Sequence, residues 1–340
     1  MGNTYVVCGA SGRVGSLVAL ELLADGHEVR VVGRDPDRLT DLAAQGATVR
    51  AGSLRDVGFL TEAMRGADAA FVLSPVDVTQ QDVNAAQAEF VQATATAVRN
   101  SRTRYVVVLS SWGAELTEPV GGIIACHWLE QLLDQVDGLN AVHLRPVWFM
   151  ENFLWNIKLI KAVGINGLAM APDVSFPAIA TLDIAAVAAD YLRSLSFQGR
   201  TIRYLNGARD YTMLEVTRAI GEAIGRPDLR YVQLPDGIAR KGMIDSGGLT
   251  PDAARLALEI NHGISSGTVH AEPRSVHNST PTTLEDFVRT TLAPAFHTAP
   301  DAPWRDRASG LLLRTYLSAV GRRAAVEAVV RSSNQSPHSE

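Results

Sequence analysis

Gly9, Gly12 and Gly15, in "VVCGASGRVGSLVALELL", form a GxxGxxG pattern between an apolar run that reads as a strand and one that reads as a helix. That context is what a dinucleotide-binding turn requires. Glycine lets the backbone approach a pyrophosphate closely, and the amides and dipole at the helix start favour its negative charge. Ser11, Arg13 and Val14 lie inside the turn and would share the contact. The alternative is a tight corner that needs glycine for packing alone. Further on, "VVGRDPDRL" closes a second apolar run, where a carboxylate would accept from a ribose 2′-hydroxyl and an arginine would pair with a 2′-phosphate. Arg34 at that position and Arg13 in the turn favour NADP(H), with NAD(H) as the other option. Asp35 could pair with Arg34 or take the ribose itself, and the competing reading makes both arginines solvated loop residues.

The elements that must hold such a turn follow from periodicity. Apolar runs at 4–8, 28–34, 47–53, 69–74, 104–111 and 140–146 read as strands, and helical spacing fills 16–26, 35–46, 55–66 and 82–100 between the first five. Strands apolar throughout and joined by helices predict an α/β fold with a doubly wound parallel sheet. Ligands of such sheets lie beyond the carboxyl ends of the strands, so Gly33–Asp35, Ser53–Asp56, Ser74–Pro75, Ser110–Gly113 and Pro146–Asn152 join the glycine turn as positions of interest. The rhythm then changes. A helix at 149–164, a loop at 165–181, a helix at 183–195, a strand at 200–207, a helix at 212–225 and a strand at 229–235 predict a smaller mixed α/β lobe, which 250–264 and 283–292 complete. The division expected is 1–150 for the Rossmann domain, 151–293 for the substrate lobe, and 294–340 for a linker and an apolar-rich helical tail over 311–330.

Composition narrows the function. A formal net charge of -5 offers no polyanion-binding surface, which argues against nucleic acid. No apolar stretch reaches the roughly 18–20 residues of a membrane span, and the first residues lack a signal-peptide pattern. Cys8 and Cys126 have neither CxxC spacing nor the company a metal site needs, and read as buried thiols. A cytoplasmic protein without a metal is expected.

Taken together, "GASGRVG", "VVGRDPDRL", "VLSP", "VVLSSWGA", "HWLEQLL", "LRPVWFMENF" and "DIAAVAADYL" resemble the NmrA-like family, atypical members of the short-chain dehydrogenase/reductase superfamily. The resemblance covers about residues 4–292. It implies a Rossmann lobe, a small C-terminal lobe and NADP(H) in the cleft between them. Typical members of the superfamily use Tyr-x-x-x-Lys to exchange a proton with an alcohol or carbonyl. None of the seven tyrosines here has a lysine four residues on, and the only lysines are Lys158, Lys161 and Lys241. In that region the resemblance implies a helix facing the nicotinamide, with His127 holding cofactor or donating a proton and Glu130, at i, i+3, able to orient it. A helical histidine satisfied by a local acceptor is the alternative. Ser110 could touch cofactor or substrate, and the resemblance sets Asn152, rather than Glu151, over the cofactor. Trp112, Trp148, Phe149, Phe153 and Trp155 could wall a site for a flat apolar substrate, or could pack in the core.

Two classes of function fit. One is an NADPH-dependent reductase passing hydride to a quinone, azo, imine or enone acceptor, chemistry that needs little acid catalysis. The other is an NADP(H)-binding sensor without turnover, whose occupancy alters a partner or a homodimer. The tail could form a dimer contact, act as a lid or pack on the body.

Overall fold

The computed structural model describes residues 2–118 and 120–301. The first half alternates β1 (Thr4–Cys8), α1 (Arg13–Ala24), β2 (Glu28–Gly33), a 3-10 turn (Pro36–Leu39), α2 (Thr40–Ala44), β3 (Thr48–Ala51), α3 (Val57–Met64), β4 (Ala69–Leu73), α4 (Val83–Ser101), β5 (Tyr105–Leu109), α5 (Ile124–Asp134) and β6 (Asn140–Pro146). The second half has β7 (Trp148–Phe149), α6 (Ile157–Val163), β8 (Ile165–Leu168), β9 (Phe176–Ile179), α7 (Thr181–Ser194), β10 (Arg200–Leu205), β11 (Asp210–Tyr211), α8 (Met213–Ala223), β12 (Arg230–Gln233), α9 (Asp236–Asp245), α10 (Pro251–Ser265), α11 (Leu284–Phe287) and α12 (Ala293–Thr298).

Seven strands form one sheet in the order β10-β6-β5-β4-β1-β2-β3, every pair parallel. Successive side chains of a strand point to opposite faces. Val7, Val31, Phe71 and Val107 therefore enter one core with α1 and α7, while Val6, Val32, Val72 and Val108 enter the other with α3, α4 and α5. Burial on both faces is why these strands read as unbroken apolar runs. The order reverses between β1 and β4, and the turns that leave those two strands flank the crevice. Two small sheets, β11-β9-β7 and β12-β8, build the remainder.

Several expectations are corrected. The strand at 200–207, assigned from sequence to the smaller lobe, pairs with β6 from Arg200↔Ala141 onward and forms the edge of the large sheet. The loop expected at 165–181 contains β8 and β9, which periodicity misses because each is only four residues long. The helix expected at 149–164 opens as strand and 3-10 turn, and only Ile157–Val163 is α-helical. The stretch 283–292 is interrupted by a π segment at Val288–Leu292. The expected linker at 294–307 begins inside α12, where Phe296 is buried, while the helical tail at 311–330 lies outside the described residues. No helix among the described residues is long and apolar enough to cross a membrane.

The glycine turn is tight at two points. Gly9 has φ +65, where a side chain is strained, and a Cβ on Gly15 would lie 2.5 Å from the Gly9 carbonyl oxygen. The clash is with backbone that cannot rotate away. Gly15→Ala is expected to lower unfolding free energy by about 1–3 kcal/mol; an unchanged urea midpoint would show that the turn has slack.

Candidate active site

α1 begins at Arg13 with Gly12 as its cap residue, and no side chain caps it. The first-turn amides are thus left for an anion. Val14 is buried in the core and can offer only its backbone. Guanidinium groups surround the turn. Arg13 Nη1 donates to the Glu151 carbonyl oxygen at 3.4 Å, and Arg38 Nη2 to the Ser11 carbonyl oxygen at 3.2 Å. Arg34, with a side chain 67% exposed, lies 3.5 Å from Asp77. Asp35, the residue that complicated the choice of cofactor, accepts from the Asp37 amide at 3.0 Å and so caps the 3-10 turn. Arg38 and Asp77 were not legible as partners of this turn, because contacts between loops leave no periodicity. The Asp77 carboxyl is held down at about 2, chiefly by the Thr79 hydroxyl against some burial, then by Gln80, the Thr79 amide and Arg34. It stays anionic through the neutral range.

At the other side of the crevice, Ser74 and Pro75 follow β4. The Ser74 hydroxyl accepts from Gln87 Nε2 at 3.3 Å, and the buried Gln87 Oε1 has no partner. Gln87 shares the buried stripe of α4 with Val83, Phe90 and Val91. A carboxamide in an apolar stripe is the sequence signal that was passed over.

The exits of β5 and β6 remain in register beyond the strands. Ser110 N donates to Leu144 O at 2.8 Å and Trp112 N to Pro146 O at 3.1 Å, so the two loops run side by side. Ser110 is buried and its hydroxyl donates to Glu130 Oε1. Glu130 in turn takes both arms of Arg145, from Nε at 3.0 Å and from Nη2 at 2.6 Å. Arg145 Nη1 reaches Glu115 at 2.9 Å and the Tyr204 hydroxyl at 2.7 Å. Burial is the largest influence on Arg145 and would lower its pKa, but the hydrogen bonds it donates to Glu130, the Glu130 charge and Tyr204 together outweigh burial and the value rises. Glu130 therefore does not orient His127, as its i, i+3 spacing suggested. His127 Nδ1 lies 2.9 Å from the Ala114 carbonyl oxygen. A carbonyl only accepts, so Nδ1 carries the hydrogen and Nε2 is left without a partner among the described residues. The Cys126 thiol beside Ser110 is pushed up to about 12, first by burial and then by Glu130, and burial alone takes Cys8 to about 12. Neither is a thiolate nucleophile at neutral pH.

The expected aromatic wall divides. Trp112, 4% exposed, lines a cavity of about 470 Å³ together with Phe176, Asn206, Ile264 and Val269. Trp148 and Phe149 are half-buried, and Trp148 stacks edge-on against Phe176 at 6.2 Å, its indole N–H unpartnered. Phe153 is fully buried, 6.5 Å from the Trp148 ring, and supports that ring instead of facing a substrate. Trp155 points out to solvent. Asn152 is half-buried with no side-chain partner among the described residues, whereas Glu151 accepts from the Thr181 amide and hydroxyl and ties its turn to the start of α7.

An uncapped glycine turn at the switch point of a parallel sheet defines a dinucleotide-binding protein. The chain belongs to the NAD(P)H-binding family, whose model matches residues 9–194. It is 28% identical over 245 residues to an NAD(P)H azoreductase of Xenophilus azovorans, covering 71% of this chain and 81% of that one. It is 26% identical over 283 residues to quinone oxidoreductase 2 of Escherichia coli, covering 75% and 93%. The structure of the E. coli NADPH-dependent quinone oxidoreductase complexed with NADPH matches with a TM-score of 0.71 at 23% identity, covering 84% of this chain and 98% of that one.

The buried pair at the strand exits is testable. Arg145→Met leaves the Glu130 carboxylate uncompensated and is expected to cost about 3–5 kcal/mol in urea unfolding, while Arg145→Met with Glu130→Gln recovers most of the loss. Equal losses in both variants would mean that packing, not charge, is what Arg145 supplies.

Proposed function

We propose that the chain is an NADPH-dependent reductase that passes hydride to a small conjugated or aromatic acceptor of the quinone, azo, imine or enone type. One observation carries the reading: the glycine turn and the Trp112-walled cavity open at the same carboxyl edge of one parallel sheet. The turn follows β1, and the cavity is lined by Trp112 after β5 and Asn206 after β10. The relatives named for azo and quinone reduction support the acceptor class.

The residues present fit the cofactor. The uncapped amides at Arg13–Gly15 would take its pyrophosphate, and Arg13, Arg34 and Arg38 offer guanidinium groups for a 2′-phosphate. Asp35 uses Oδ1 as a cap, and the three guanidinium groups around it tilt the balance toward a 2′-phosphate. Ser74, Pro75 and Asn152 would line the remainder. NADPH, when bound, supplies the hydride. The chain's own residues orient the acceptor against Trp112, exclude water with the buried walls of the cavity, and move one proton. His127 is the group for that step: with Nδ1–H fixed on Ala114, its open Nε2 can take a proton from solvent and pass it to the reduced acceptor. Ser110 positions the β5 exit and does not exchange a proton, because its hydroxyl is committed to Glu130.

Two measurements test this. A titration should show NADPH binding more tightly than NADH, followed by acceptor-dependent loss of NADPH absorbance with quinones, azo dyes or enones, and His127→Ala or Trp112→Ala should slow turnover with little change in NADPH Kd. Binding without oxidation across that panel would favour the sensor reading. Removing the Asp77 carboxylate should release Arg34, so Asp77→Asn is expected to tighten NADPH by about fivefold, roughly 1 kcal/mol, and leave NADH unchanged; equal effects on both cofactors would detach Arg34 from the 2′-phosphate.

A further inference from the structure

The 470 Å³ cavity carries chemistry that the aromatic wall alone does not express. Its apolar side is Trp112, Phe176, Ile264 and Val269, all buried, which suits a flat conjugated ring. Its polar side includes an acceptor without a partner. Asn206 is 1% exposed, and its Nδ2 donates to the Glu272 carbonyl oxygen at 3.2 Å. A carbonyl cannot donate, so the carboxamide cannot be flipped, and the atom left buried without a partner is the acceptor Oδ1. An unpaired buried acceptor of this kind would gain a hydrogen bond from a ligand donor that reaches it from the cavity Asn206 lines.

The charges point the same way. Two carboxylates, Asp210 and Glu272, line the cavity against one guanidinium, Arg274. Arg274 is already committed to Asp210, the Gly207 carbonyl and Ser279. Glu272 has no ion-pair partner for its carboxylate among the described residues and stands exposed beside His270. The uncommitted carboxylate thus lines an aromatic-walled cavity, where a cationic group would also gain from the Trp112 ring.

We propose that this cavity selects aromatic acceptors bearing an amino substituent, neutral or cationic, over the same aromatics bearing an anionic group. The inference rests on the reductase reading for turnover but not for binding. Asn206 and Glu272 become its specificity-determining residues, neither of them singled out by the sequence.

Binding is measured first, without cofactor, by calorimetry with 4-aminoazobenzene, 4-dimethylaminoazobenzene and azobenzene-4-sulfonate. The amino compound should bind at least about fivefold more tightly than the dimethylamino compound, which cannot donate, and the sulfonate should bind most weakly. Glu272→Lys, an exposed position expected to fold, should weaken the amino compound and strengthen the sulfonate, and Glu272→Gln should lie between them. No binding of any probe, equal affinities for all three, or affinities insensitive to both Glu272 variants would overturn the proposal. Kinetics with NADPH then follow separately: ordered binding without oxidation would leave the cavity assignment standing and remove the reductase reading, whereas oxidation that ignores the substituent would do the reverse.

Discussion

The paired charges of Glu130 and Arg145, each 5% exposed, set the geometry on which the acceptor side of the crevice depends. Burying two ions is costly, and apolar residues of similar volume would usually hold the same space as well or better. What the pair contributes is direction. Through Glu130 it fixes Ser110 at the exit of β5, and through Arg145 it fixes Glu115 five residues later. Trp112 and Ala114 lie between those two anchors, so the cavity wall and the carbonyl that holds His127 are both suspended from one guanidinium. Tyr204 adds β10 to the same centre, which brings the edge strand, and Asn206 just beyond it, into register with the rest.

The cofactor side is organised differently, by leaving groups unpaired. Gly12 places no side chain over the first turn of α1, and Gly15 allows that turn to press against the Gly9 carbonyl. Around this gap the arginines are tethered loosely: Arg13 and Arg38 rest on backbone carbonyls, and Arg34 sits at a long 3.5 Å from Asp77. Exposed pairs of that kind contribute little to stability. They are therefore available to a stronger anion, in contrast to Arg145, whose donors are consumed by the fold.

The parallel sheet is legible in the sequence because burial on both faces leaves its central strands as continuous apolar runs, and helix phasing between them is clean. The seventh strand is legible as a strand but not as a member of that sheet. Its exposed Arg200, Ile202 and half-buried neighbours carry the mixed pattern of an edge, and only the pairing with β6 reveals where it belongs. The glycine turn is legible because its constraint is local. The polar network is less so, although Arg145 inside the apolar strand "NAVHLRP" and Glu130 inside the apolar stripe of α5 each demand a counter-charge. Spacing within α5 suggested His127 as the partner of Glu130, and tertiary pairing overrode it. Asn206 and Glu272 gave no signal, since a cavity assembled from four separated stretches of chain has no sequence period.

The absence of Tyr-x-x-x-Lys acquires a physical sense in this arrangement. Reducing an isolated carbonyl builds charge on oxygen that an adjacent acid must neutralise, and a tyrosine activated by lysine does so. Here the tyrosine nearest the β5 exit network, Tyr204, is held by Arg145 and Glu115, and burial raises its pKa before Arg145 partly offsets it. Ser110 is likewise committed. A site with one free imidazole nitrogen and a buried aromatic wall is better matched to acceptors that spread the incoming charge over a conjugated system, where proton transfer can follow hydride without being concerted with it. An aromatic wall of this kind suits flat molecules, so the absence of a Tyr-x-x-x-Lys pair from the sequence and the lining of the cavity agree in the chemistry they favour, with one imidazole in place of the activated phenol.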